Sequence, residues 1–233
     1  MEYGVLFEKG CRDRNQDSLA LHRMMTQRGE VVLAAVCDGL GGMDAGEIAS
    51  GYVAERLSIW FYEDLPDLLE KRRSKKALEN ALLRVFYDVH ERLVAYGEER
   101  KLRLGTTLSM LLIVDGRYYL FHIGDSAVYL LGRIGRKITK EHSISGNVLQ
   151  KCIGIGAYKR PDQKRGRIRK KDVFLLATDG IWRALTEEEW GQILGKKKSL
   201  NGKKAEKILR DIAAKQNRLG KADNMSAIYL RVE

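Results

Sequence analysis

Four aspartates in this chain, Asp38, Asp125, Asp179 and Asp223, share one local setting, the end of an apolar, strand-like run. The first three also have a glycine as neighbour, which leaves open space beside the carboxylate. A carboxylate in that position is costly to bury bare and is paired or bound to a cation. One such residue reads as a turn; four suggest a common cluster. Clustered carboxylates repel, so at neutral pH they need protons or divalent cations. Oxygen-only donors favour hard ions, magnesium or manganese, over zinc. Two such ions about 4 Å apart lower the pKa of a shared water and clamp the oxygens of a phosphoryl group. Arg12, in the polar loop GCRDRNQD, is suited to a bidentate grip on phosphate, although alone it reads as a surface arginine.

The elements that must carry these residues follow from the pattern. Val31 to Cys37 is a buried, β-branched run, stopped by Asp38 and released into a turn by Gly39, Gly41 and Gly42. Asp44 and Glu47 mark a helix start, with Ala49, Val53, Leu57 and Trp60 on one face. Pro66 is expected to break the chain before a second helix, Ser74 to Glu99, striped by Leu78, Leu82, Val85, Val89 and Leu93. Strands are expected at Glu2–Phe7, Ser18–Met25, Thr106–Val114, Arg117–Ile123, Ala127–Leu131, Asp172–Ala177 and Asn224–Val232, with Asp115-Gly116 a two-residue hairpin turn. Thr186 and Glu189 form a capping box, and Lys203–Leu219 is an amphipathic helix. Two early helices, strands in runs and late helices indicate antiparallel sheets covered by helices, an α+β class, rather than an alternating βαβ fold.

At 233 residues one large domain is the natural count. No apolar run approaches the roughly 18 residues of a membrane span, and the early acid in MEYGVLFEKG is unlike a signal peptide, so a cytoplasmic product is expected. Cys11, Cys37 and Cys152 lack metal-ligand spacing and read as reduced thiols. The net charge of +11 is concentrated in Lys159–Lys171 and Lys196–Lys221. These runs read as solvated surface, then as contacts for acidic or phosphorylated proteins, and only third as a nucleic-acid site, because no aromatics interleave with the basics. His22 and His90 read as partly exposed, His122 as an ordinary strand residue, and Trp60, Trp182 and Trp190 as core.

Taken in order, Arg12-x-x-x-Gln16-Asp17, Asp38-Gly-x-Gly-Gly with Gly46-Glu47, Gly105-Thr106-Thr107, Gly124-Asp125-Ser126, Thr178-Asp179-Gly180-Ile181-Trp182 and Asp223-Asn224-Met225-Ser226 resemble the metal-dependent serine/threonine protein phosphatases, the protein phosphatase 2C family, in its compact bacterial form. The resemblance spans nearly the whole chain, residues 1–233, as a single catalytic domain. It implies a four-layer αββα sandwich of two antiparallel sheets flanked by helix pairs. It also implies hydrolysis of phosphoserine and phosphothreonine in proteins, by a hydroxide bridging two Mn2+ or Mg2+ ions. Asp38 would bridge both ions, with the Gly39 carbonyl on the second. Asp179 and Asp223 would hold the first, Asp17 would orient bound water, and Arg12 would bind the substrate phosphate. The implied partners are a serine/threonine kinase and its substrates, and the implied state is a monomer.

Four positions depart from the family pattern. Leu40 stands where many members carry a histidine acid, which leaves water as the proton source, and Gln16 stands where some carry glutamate. Arg183 occupies a place usually held by a carboxylate of a weak third metal site that would include Asp125. A guanidinium repels a cation, so that ion is expected to be absent or very weak, with Asp125 and Arg183 paired. The lid between His142-Ser143 and Asn147-Val148-Leu149 is short, the whole flap spanning about residues 142–165, and Lys159–Lys171 is either a solvated loop or a replacement lining of the cleft. His142 is read as a candidate for approaching that cleft. Two other readings remain open: a non-catalytic phosphoprotein-binding relative, and a basic nucleic-acid-binding module.

Overall fold

The computed structural model describes residues 1–27, 29–40, 45–71, 74–132, 135–144, 148–195, 200–220 and 223–233. In chain order the strands are β1 (Glu2–Glu8), β2 (Asp17–Thr26), β3 (Gly29–Asp38), β4 (Leu108–Val114), β5 (Arg117–Ile123), β6 (Ala127–Leu131), β7 (Gly135–Lys137), β8 (Asp162–Arg167), β9 (Val173–Ala177) and β10 (Met225–Arg231). The helices are α1 (Gly46–Ile59), α2 (Leu65–Glu70), α3 (Lys75–Arg100), α4 (Asp179–Trp182), α5 (Glu187–Leu194) and α6 (Gly202–Arg218).

Alternation along the strands explains the layers. On β3, Val32, Ala34 and Val36 face one way and meet Leu111, Ile113 and Leu120 of their own sheet and Val128, Phe174, Leu176, Ile228 and Leu230 of the other. Val31, Leu33, Ala35 and Cys37 face the opposite way, onto Val53, Leu57, Phe86 and Val89 of α1 and α3. The other sheet repeats the device: Tyr129, Leu175 and Tyr229 pack on Trp190, Leu194 and Leu209 of α5 and α6. Because strand side chains alternate with period two, each sheet buries both faces, and the stack is helix, sheet, sheet, helix. The strand orders are β1-β10-β9-β6-β7 and β2-β3-β4-β5-β8, every pairing antiparallel. This is the α+β sandwich that the sequence suggested. Among the described residues no helix is long and apolar enough to cross a membrane.

The hairpin at Asp115-Gly116 has both residues in the left-handed region, φ 52° and 66°, as the tight two-residue turn requires. Thr186 and Glu189 complete the expected capping box. Three local expectations are corrected. Pro66 does not break the chain: it sits in the first turn of α2, directly after a π-type turn over Trp60–Asp64. Widening the helix there, with the Leu65 N–H bonded to the Trp60 carbonyl, accommodates a residue that has no N–H and would crowd the preceding turn. Asp162–Arg167, inside the basic run and overlapping the end of the expected flap, is a strand, paired with β5 at the edge of its sheet. His90 is buried rather than partly exposed, because both ring nitrogens are satisfied by backbone, at Gly154 N–H (3.2 Å) and Gly156 carbonyl (3.0 Å). The turn residues Gly41, Gly42 and Asp44, Asn147 of the flap and Lys196–Ser199 lie outside the described residues.

Candidate active site

Antiparallel pairing of β2 with β3 sets Asp17 opposite Asp38. The backbone of Asp38 is then held from the neighbouring strand: Thr107 Oγ1 accepts from its N–H at 3.0 Å, and Thr107 N–H and Thr106 Oγ1 both donate to its carbonyl at 2.9 Å. Gly39 donates its N–H to the Gln16 carbonyl at 3.0 Å. A Cβ at Gly39 would lie 2.4 Å from that carbonyl oxygen and 2.5 Å from the Gly46 carbonyl, so glycine is required by close approach of backbone on both sides.

The other sheet delivers its residues to the same place. Thr178, at the end of β9, donates from Oγ1 to Asp17 Oδ2 at 2.9 Å and accepts from Ser226 N–H at 3.0 Å, tying β9, β10 and β2 together. Asp179 follows as the first residue of α4. Asn224, at the start of β10, accepts from Gln16 N–H (2.9 Å) and donates to the Lys9 (2.8 Å) and Arg14 (2.9 Å) carbonyls. One amide therefore fixes the loop that carries Arg12.

These elements enclose a cavity of about 580 Å³ lined on one side by Arg12, Gln16, Asp38, Gly39, Asp125, Asp179, Asp223 and Asn224. Asp17 lies behind it, 3 % exposed. Burial raises the Asp17 carboxyl to about 7, with the charges of Asp179 and Asp223 adding to the rise and the nearby Ser226 and Thr178 hydroxyls opposing it. Asp38 is pushed well above the usual carboxylate range by burial and then by Asp17, Asp179, Asp125 and Asp223. Burial takes Asp125 to about 6. Asp179 is also raised by burial, against the pull of Arg183. The neighbouring Asp38 carboxyl partly offsets the rise at Asp179. The cluster is short of positive charge.

The donor set fits hard divalent ions. It is all oxygen, and Asp17 Oδ1 is buried with no hydrogen-bond partner, an acceptor left open in a region that water or an ion must serve. Among the described residues no three acidic, His or Cys groups are already arranged to hold a metal ion. Arg183 lies 2.8 Å from Asp179, 3.4 Å from Asp125 and 3.7 Å from Glu141, and Arg12 lies 3.3 Å from Asp223. Both pairs hold carboxylates that ion entry would reclaim.

Asp38, Gly39, Asp125, Asp179, Asp223 and Arg12 thus share one cavity, with Asp17 behind them, and the expected pairing of Asp125 with Arg183 is present. Gln16 turns its amide to Glu47, donating at 3.0 Å. The basic run Lys159–Lys171 does not line this cavity; as an edge strand and its flanks it faces solvent. Nor does His142, whose Nδ1 accepts from Gly124 N–H at 3.1 Å and whose Nε2 reaches Asp162 at 3.1 Å. Trp182 is only partly buried: it donates to the Asp125 carbonyl at 3.0 Å, and Lys137 Nζ sits 3.5 Å above its ring. Sequence reasoning assigned no role to Thr107, Thr178 and Asn224, although each stands inside a motif it had quoted.

Comparison with known proteins agrees with this geometry. A family model described as protein phosphatase 2C matches residues 12–216. The serine/threonine phosphatase stp of Listeria monocytogenes serotype 4b is 26% identical, over 85% of this chain and 83% of its own length. The solved structure of serine/threonine phosphatase Stp1 from Staphylococcus aureus superposes with a TM-score of 0.83 at 25% identity, covering 100% of this chain and 96% of that one. The catalytic domain of serine threonine protein phosphatase PstP, solved in complex with two manganese ions, superposes at 0.76 with 26% identity, covering 99% and 98%. With more than half of its length matched and the two-sheet sandwich in common, the chain belongs to the protein phosphatase 2C family.

Proposed function

We propose that this chain is a metal-dependent protein serine/threonine phosphatase, acting as one catalytic domain with a short flap. The observation that carries the reading is the meeting of Asp38, Asp125, Asp179 and Asp223 at a single cavity with Arg12 on its wall. The manganese ions in the similar PstP structure support two divalent ions here, with Asp38, the Gly39 carbonyl, Asp179 and Asp223 as their ligands. When bound, such ions supply a nucleophilic water at neutral pH and neutralise the phosphoryl oxygens.

The chain's own residues do the rest. Arg12 releases Asp223 and grips the substrate phosphate through its paired N–H donors. Asp17, buried and hydrogen-bonded to Thr178, orients water through its open Oδ1. Leu40 has no acidic proton to give, so the departing serine or threonine oxygen takes its proton from water in the cavity. No side chain is phosphorylated, and the acceleration comes from positioning and charge. By the same reading the chain works in the cytoplasm as a monomer, against a serine/threonine kinase.

Release of phosphate from a phosphothreonine peptide and from p-nitrophenyl phosphate, with and without manganese, tests this. Manganese-dependent turnover is expected. Peptide binding without turnover in manganese would overturn it in favour of a non-catalytic phosphoprotein binder.

A further inference from the structure

The cavity has a second, apolar wall. Leu40, Val148, Leu149, Cys152 and Ile155 line it. These residues come from the chain just after β3 and from residues 148–155, whereas most of the acidic side comes from the strand ends of the other sheet. The wall is anchored to the backbone that anchors Asp38. Thr106 and Ile153 exchange backbone hydrogen bonds at 3.0 and 2.9 Å, and Leu40 N–H donates to the Gly105 carbonyl at 3.0 Å. Ile155 rests on Gly105, where a Cβ would lie 2.6 Å from its Cδ1. Arg103, also at the cavity, is engaged within the chain.

Among the described residues nothing covers the outer part of this wall. Val148 is 59 % exposed, and Ile144, whose N–H donates to the Val148 carbonyl at 3.0 Å, is 68 % exposed. Apolar surface of this kind gains free energy only when something apolar covers it. The wall is continuous with the phosphate-gripping side, so whatever enters the cavity phosphate first brings its neighbouring side chains against Val148 and Ile155. A bare phosphate ester has nothing to place there, and an acidic neighbour would lose hydration against these apolar side chains.

We infer that this wall sets substrate preference: the protein selects phosphorylated segments with an apolar side chain immediately beside the phosphoserine or phosphothreonine, seated on Val148, Leu149, Cys152 and Ile155. The inference rests on the phosphatase reading above. Its test uses the full chain in manganese and phosphothreonine peptides that differ only in carrying Leu, Ala or Asp on both sides of the phosphoresidue, with p-nitrophenyl phosphate in parallel. The Leu peptide is expected to exceed the Ala peptide in kcat/KM by about ten-fold, mostly through KM, and Asp to fall below Ala. Val148→Asp, at an exposed position that folding tolerates, is expected to bring the Leu-to-Ala ratio close to one. Equal turnover of the three peptides, or a ratio untouched by Val148→Asp, would overturn this inference alone. Failure to turn over any peptide or p-nitrophenyl phosphate would overturn the phosphatase reading and this inference with it.

Discussion

Arg183 Nη1 lies 2.8 Å from Asp179 Oδ2, and the same guanidinium reaches Asp125 at 3.4 Å. The side chain stands in for a cation among three carboxylates, and it competes with any ion for Asp179. Replacing it should therefore help metal binding. Arg183→Ala is expected to bind manganese roughly ten-fold more tightly by titration calorimetry, and unchanged or weaker affinity would refute the competition. In wild-type crystals soaked in concentrated manganese, no ordered ion is expected at Asp125.

Asp38 and Asp179 lie at one cavity, in a cluster whose burial raises both carboxyls. Removing either charge should relieve repulsion in the ion-free protein while removing a ligand from the ion-loaded one. Asp38→Asn and Asp179→Asn are expected to melt no lower than wild type in chelator, yet to lose at least ~10³-fold in turnover of a phosphothreonine peptide. Variants that keep wild-type turnover would end the metal mechanism.

The pH dependence of stability has a definite sign. The Asp17 carboxyl stands at about 7 against an ordinary 3.8, so the native state holds the proton more tightly than the unfolded chain. Its stabilisation is complete below the unfolded value and is lost as pH rises through about 7, an effect on the order of 4 kcal/mol. Glu47 runs the other way, its carboxyl lowered by the Gln16 hydrogen bond, so its contribution fades only in more acidic solution. The chelated protein should thus have a lower Tm at pH 8 than at pH 5. Manganese should restore it at pH 8, and Asp17→Asn should flatten the slope. A chelated Tm that climbs from pH 5 to pH 8 contradicts the assignment.

Gly39→Ala tests the close approach at the end of β3. The added Cβ would fall 2.4 Å and 2.5 Å from two backbone oxygens, which cannot move without shifting β2 or α1. A loss of about 2 to 4 kcal/mol is expected in denaturant unfolding, with activity falling along with it. A neutral substitution would show that the backbone there is free to spread.

Much of this architecture was legible because it is written in local pattern. The β-branched run of β3, the Asp115-Gly116 turn and the stripe of α3 each carry their own period or turn chemistry, and the positions of the four aspartates followed from them. What stayed hidden depends on distant partners. The β8 sequence DQKRGR has no apolar alternation and is a strand only because β5 offers it hydrogen bonds; its exposed charges suit a sheet edge. Asn224 looks like one polar residue before a strand, yet its work is done on backbone atoms 208 to 215 residues away. Arg183 was legible for a different reason: it stands where the resemblance to the protein phosphatase 2C pattern implies a carboxylate, and a guanidinium there repels an ion whatever the fold.

The grip of Asn224 on Lys9, Arg14 and Gln16 sets an order of events during synthesis. The site residues up to Asp179 are made before Asp223 and this amide, and until β10 joins its sheet the loop bearing Arg12 is held through Arg14 and Gln16, from the side of α1 and β3. Chains that lack β10 are expected to leave phosphorylated neighbours intact, and hydrolytic competence to switch on only when β10 seats between β1 and β9.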